Sequence, residues 1–167
     1  LSARTRSSNS ARDPAIGDTF SRHRIDTVVH LAAVVTPGKH SSRDVEYSID
    51  VLGTQNVVEA CLRTGVRKLI YTSSGAVYGF HADNPRPLRE TDPLRGNPEF
   101  AYSDHKRLVE EMLARYRDEH PELEQLIFRP GTILGATVAS PISAMFERAL
   151  VIGVVANDSD VDLDPLT

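Results

Sequence analysis

The chain has 167 residues, enough for one domain with a sizeable core, and its 40% apolar and 25% charged residues fall in the ordinary globular range. A net charge of −4, with basic residues interspersed among acids, argues against nucleic acid as a partner, and the longest apolar run, residues 149–156, is too short to span a bilayer. A lone Cys61 excludes an internal disulfide framework and points to a cytoplasmic setting, while six scattered histidines show no zinc-type spacing, so no metal is expected.

Residues 1–12 are polar and Arg/Ser-rich, with no apolar stretch of the kind a secretory signal needs, and read as a loop of a truncated chain. Asp13-Pro14 is a helix N-cap followed by proline at the first helical position, and Ile16 and Phe20 give that short helix an apolar edge ending near His23. Residues 25–31 (IDTVVHL) are rich in β-branched side chains and predict a buried strand. Pro37-Gly38 breaks the chain. From about Ser42 a long helix is predicted, because Val45, Ile49, Leu52, Val58 and Leu62 recur at helical spacing, with Gly65 as its stop.

Residues 68–73 (KLIYTS) predict the next strand, running straight into SGAVYG. Residues 81–98 hold four prolines and read as a loop. A second long helix spans roughly 100–119, with Leu108, Val109, Met112 and Tyr116 as its apolar stripe, and His120-Pro121 ends it. Residues 125–129 form another strand before Pro130-Gly131, and the tail 157–167 is acidic and irregular. Apolar strands alternating with helices of this length predict an α/β fold: a doubly wound, Rossmann-like parallel sheet covered on both faces, incomplete at its N- and C-terminal ends. Residues 1–167 are read as one domain. In such folds ligands bind where strands exit, and the unusual polar residues do follow strands, at 30–33, 73–75 and 130–132.

Tyr102 and Lys106 are four apart near the start of a helix, so both side chains share one face. A free tyrosine is a poor base at neutral pH, but a neighbouring ammonium favours the phenolate and makes the pair a general acid/base suited to an alcohol proton. Ser74, at a strand exit, is placed to donate a hydrogen bond to the same substrate oxygen. Proton to tyrosine and hydride to a nicotinamide together amount to alcohol oxidation. A Tyr and a Lys at that spacing occur by chance on many helices; Ser74 after a buried strand in the preceding unit is what lifts the reading above chance.

The motifs VVHLAA (28–33), GTQNVVEAC (53–61), YTSSGAVYG (71–79), YSDHK (102–106) and FRPGTILG (128–135) are each weak alone, but their order and spacing are specific. Together they make the chain resemble the extended short-chain dehydrogenases/reductases, the NAD-dependent epimerase/dehydratase group that includes the UDP-glucose 4-epimerases. The resemblance implies catalysis by Ser74, Tyr102 and Lys106, with Lys106 also bonding the nicotinamide ribose. It implies cofactor contacts from Leu31, Ala32 and Ala33, from Tyr71, Thr72 and Ser73, and from Pro130, Gly131 and Thr132, as well as from Tyr102 and Lys106. NAD is the expected cofactor, with NADP as the alternative. The expected substrate is a small molecule, a nucleotide sugar, and a homodimer through the two long helices is expected.

Departures from the family pattern are informative. Members begin with a strand and a G-x-x-G-x-x-G turn that receives the pyrophosphate, but the first 37 residues here contain one glycine, Gly17. Members commonly carry Asn before V-x-G-T, where this chain has Asp50. The substrate domain expected after Gly135 is mostly missing. The leading function is transient oxidation of a nucleotide sugar leading to epimerisation or dehydration. A second is NADP-dependent reduction of a non-sugar ketone or aldehyde. A third, a cofactor-binding regulatory protein without turnover, has Asp50 and the missing turn as its support and the intact Ser74, Tyr102 and Lys106 against it.

Other residues have plainer readings. His30 is expected to be a hydrogen-bonded structural histidine, His105 a helix-surface residue rotated away from the Tyr102/Lys106 face, Cys61 a small core residue and Tyr78 part of the motif's packing. The alternating acids Asp158, Asp160, Asp162 and Asp164 lack the glycine and terminal glutamate of a calcium loop.

Overall fold

The computed structural model describes residues 14–38 and 41–133. The readings of residues 1–13, of 134–135, of the apolar run 149–156 and of the acidic tail lie outside the described residues. The chain divides into two compact units, 1–131 and 132–167, and the fold below is that of the first.

The elements in order are α1 (Pro14–His23), β1 (Thr27–His30), α2 (Arg43–Tyr47), a π-helical turn (Ser48–Leu52), α3 (Gly53–Thr64), β2 (Lys68–Thr72), a 3-10 turn (Gly75–Tyr78), α4 (Ala101–Glu119) and β3 (Glu124–Phe128). The long helix predicted from Ser42 is therefore one helical run interrupted by a π turn at Asp50. Ser42 caps it, its hydroxyl accepting from the Val45 N–H at 3.3 Å. Gly65 ends it in the left-handed conformation at φ 72°, where a side chain is strained.

The three strands lie in the order β1-β2-β3, all parallel, with Thr27 opposite Lys68 and Lys68 opposite Glu124. The Rossmann-like parallel sheet predicted from sequence is present. Its expected covering on both faces is not seen among the described residues: Val29, Leu126 and Phe128, all on one face, are 56%, 42% and 52% exposed. The reason is topological. Crossovers of one hand that step the same way across a sheet return over the same face. The period of two along each strand then sends Leu69, Tyr71 and Ile127 into the helical layer and the residues between them to the open side. Between sheet and helices, Leu69, Val58, Cys61, Val109, Leu113 and Leu123 form the core. Each large aliphatic buried there contributes about 1.5–3 kcal/mol.

Candidate active site

The site is built from strand exits. Past β2, the Ser73 N–H donates to the Phe128 carbonyl at 2.7 Å and the Gly75 N–H to the Pro130 carbonyl at 2.9 Å. These bonds extend the parallel pairing beyond both strands, so 71–75 and 128–131 run side by side at one edge. Ser74 is in extended conformation, and its Oγ accepts from the Ala76 N–H at 3.1 Å, capping the 3-10 turn. A hydroxyl used in this way as acceptor still has its proton to donate. The buried Ser73 Oγ has no hydrogen-bond partner.

Helix α4 is brought to this turn by Ser103, whose buried hydroxyl donates to the Ala76 carbonyl at 2.6 Å. That bond fixes the first turn of α4, and with it Tyr102, against the segment carrying Ser74. One turn on, the buried Lys106 reaches the end of β2. Its Nζ donates to the Thr72 carbonyl at 2.7 Å and to the Tyr71 hydroxyl at 3.1 Å, and lies 4.7 Å from the centre of the Tyr71 ring and 5.8 Å from that of Tyr102. The α4 residues and the β2 exit predicted from sequence are thus brought together. Tyr102 itself is half-buried rather than packed inside.

Burial pulls the Lys106 pKa down from 10.5 to about 8, opposed by the negative charges of Asp50 and Glu110. Lys106 therefore remains mostly an ammonium at neutral pH. Burial pushes the Tyr71 hydroxyl far up, with the Asp50 and Glu110 charges acting in the same direction, so it stays neutral and bonds Lys106 as an acceptor. His30 donates to or accepts from the Thr54 hydroxyl at 2.9 Å and tilts against Tyr71 at 5.7 Å. Burial, then the Lys106 charge, lowers its pKa, so it is a neutral structural imidazole, as read from sequence. Cys61 is fully buried, and burial raises its thiol to about 11. It is a core residue.

At the β1 exit, Leu31 is 67% exposed and Ala32 is also exposed, which leaves their backbone open to a ligand lying across the strand ends. Ala33 is half-buried, as is Pro130. Gly131 is exposed, with nothing near the position a Cβ would take. Thr132 is exposed and begins the second unit.

One reading is overturned. His105 is not on the helix surface: it is 1% exposed, and its Nδ1 lies 3.1 Å from Asp50 Oδ2. Rotation away from Tyr102 and Lys106 does not carry a side chain to solvent here, because the π turn of the α2–α3 run covers that flank of α4. Asp50 in turn accepts from the Val34 N–H at 2.8 Å, a link that sequence reasoning missed. Its signal was available as an acid in an apolar helical stretch.

Two further groupings lie beside the site. Arg129, just past β3, holds the buried Glu110 through 2.6–3.0 Å bonds and donates to the Tyr78 hydroxyl at 2.7 Å, which gives Tyr78 the packing role expected of it. Phe80, Phe100 and Tyr102 form an aromatic row with centres 6.2 and 6.0 Å apart, and the two phenylalanines are 73% and 46% exposed. Among the described residues no group of three or more His, Cys, Asp or Glu could hold a metal ion, and no helix is long and apolar enough to cross a membrane.

Comparison with known proteins bears on this arrangement. Residues 4–158 match the model of the NAD dependent epimerase/dehydratase family. The chain is 36% identical over 118 residues to the UDP-glucose 4-epimerase of Erwinia amylovora, covering 70% of this chain and 34% of that protein. It is 30% identical over 118 residues to the decarboxylating sterol-4-alpha-carboxylate 3-dehydrogenase of Saccharomyces cerevisiae, covering 71% of this chain and 33% of that one. Among solved structures, a UDP-glucose 4-epimerase from Brucella ovis in complex with NAD superposes with a TM-score of 0.60 at 27% identity, over 69% of this chain and 34% of that one. The chain spans about a third of the length of these relatives.

Proposed function

The chain belongs to the NAD dependent epimerase/dehydratase family, and on that premise we propose that it carries the acid–base half of an enzyme that transiently oxidises an alcohol carbon of a nucleotide sugar. The observation that carries this reading is the Lys106 ammonium, 5.8 Å from the Tyr102 ring and anchored to the strand exit that continues into Ser74.

NAD is the proposed cofactor. The residues fit its nicotinamide and ribose end: Lys106 spends two of its three N–H donors on Thr72 and Tyr71 and keeps one, the orphaned Ser73 Oγ is at the same exit, and the backbone at Leu31 and Ala32 is open. The described residues include no glycine-rich turn for the pyrophosphate, so the assignment concerns the nicotinamide end alone. When bound, NAD supplies the hydride acceptor and donor.

The side chains do the rest. Ser74 donates its hydroxyl proton to the substrate oxygen and holds it as its charge changes. Tyr102 takes the proton of that hydroxyl and returns it when the carbonyl is reduced again. Lys106 stabilises the negative charge that the phenol oxygen carries before it takes that proton and after it returns it. Reduction of the ketone from its opposite face would give the epimer. The exposed Phe80–Phe100 row beside Tyr102 offers an apolar wall suited to the C–H face of a pyranose.

UDP-galactose is the first substrate to test: the purified protein with NAD should convert it to UDP-glucose, and no interconversion at any NAD concentration would sink the epimerase reading. A second reading, NADP-dependent reduction of a non-sugar ketone or aldehyde, draws on the same exposed aromatic row and on the sterol dehydrogenase relative. The proposal extends to a cytoplasmic homodimer formed by the α2–α3 run and α4; sedimentation as a monomer would overturn that part.

A further inference from the structure

The segment that leaves β1 toward the nicotinamide end is tied down by a single carboxylate. Val34 N–H donates to Asp50 Oδ1 at 2.8 Å, and the other oxygen, Oδ2, lies 3.1 Å from His105 Nδ1. Asp50 is 6% and His105 1% exposed, and Tyr47 meets the imidazole edge-on at 5.7 Å. A carboxylate oxygen accepts, so His105 directs an Nδ1–H at it, and its Nε2 is buried without a partner. A buried carboxylate is tolerated only where its lone pairs find donors, and here the donors come from two different elements. Asp50 reaches them because it lies in the π turn of the α2–α3 run, an irregularity often found at functional positions.

His105 is the immediate neighbour of Lys106 and lies three residues past Tyr102. The carboxylate therefore joins the strand exit on one side of the site to the helix on the other. Its charge reaches Lys106 as well, which counters the effect of burial on that ammonium.

We propose that Asp50 is a positioning residue: through Val34 and His105 it holds the β1-exit segment in register with the helix that carries Tyr102 and Lys106, so that cofactor and acid–base pair keep one separation. The inference rests on the reading of the site given above. An asparagine would keep both links, its oxygen accepting from Val34 and its N–H donating to Nδ1 of the other imidazole tautomer at the cost of burying an Nε2–H donor, so Asp50→Asn is the conservative variant.

The test is an NAD titration followed by fluorescence, together with amide exchange at Val34 and thermal melting, on Asp50→Leu, Asp50→Asn, His105→Leu and the Asp50→Leu/His105→Leu double variant. Asp50→Leu should weaken NAD binding by roughly tenfold or more and speed Val34 exchange, and Asp50→Asn should recover affinity to within about threefold of wild type. The double variant should bind no more weakly than Asp50→Leu alone, since both act through one brace. A melting temperature that falls while NAD affinity stays within about twofold would leave Asp50 a merely structural residue and overturn the inference. Should Asp50→Leu fail to fold, His105→Leu decides: it keeps the Val34 bond, and unchanged NAD affinity and Val34 exchange in it would also overturn the inference. Wild-type protein that does not bind NAD would remove the reading of the site and this inference with it; wild-type binding with unaffected variants removes this inference alone.

Discussion

Lys106 reaches from the second turn of α4 to the end of β2, where its ammonium donates to the Tyr71 hydroxyl at 3.1 Å while lying 4.7 Å above the same ring. The cation is thus anchored on the sheet, and Tyr102, four residues earlier on the helix, is brought to it. Burial without a directly bonded carboxylate is what lowers its pKa to about 8, and two consequences can be measured.

The first concerns rate. Turnover should be level below about pH 8 and fall above it as Lys106 loses its proton. Lys106→Met should cost roughly 10²- to 10⁴-fold in kcat. A basic limb at the same pH in Lys106→Met, read from the residual rate, would assign that limb to another group.

The second concerns stability. The folded-state pKa of about 8 lies below the ordinary 10.5, so the native protein binds fewer protons than the unfolded chain between those values, and stability rises with pH across that window. Below about pH 8 the charged, buried amine costs roughly 3 kcal/mol at most, an amount that Lys106→Met removes in part. Urea denaturation should show Lys106→Met to be more stable than wild type near pH 7, with the gap closing toward pH 10.

Tyr102→Phe removes the proton acceptor without changing the ring that packs beside Phe100. It should lower kcat by roughly 10²-fold or more and leave NAD affinity nearly unchanged. Rates equal to wild type in stopped-flow assays would mean that the chemistry lies elsewhere.

Arg129→Met should be among the most damaging surface-distant changes. It strips the partner from Glu110, a carboxylate 3% exposed, and frees the Tyr78 hydroxyl. Loss of about 3–5 kcal/mol is expected in chemical denaturation, and Arg129→Met/Glu110→Leu should regain part of it because no buried charge is then left unpaired.

Gly79→Ala tests the join between the turn after Ser74 and the loop before α4. Gly79 has φ 73° and ψ 165°, and an added Cβ would run into the Gly96 carbonyl oxygen. Strain and clash act together, so a loss of about 3 kcal/mol or more in stability is expected, read as a drop in the denaturation midpoint.

Much of this molecule can be read along the chain because its signals are local. The Ser42 cap, the Gly65 stop, the apolar strands and the order of the Ser74, Tyr102 and Lys106 motifs each depend on neighbours a few residues away, and the helices and strands lie close to where those signals put them. The surroundings of α4 depend instead on which elements fold against it. One flank meets β2, the other the π turn, so His105 is buried although its helical position, taken against a single apolar stripe, pointed to solvent. The pairing of Asp50 with His105 spans 55 residues, and the one-sided covering of the sheet follows from the direction in which successive crossovers step. Sequence by itself determined the elements and offered the candidate site residues, since backbone propensity and side-chain identity are local properties. Only the tertiary structure decided which polar groups are desolvated together, because burial is a property of what packs against a residue and not of the residue.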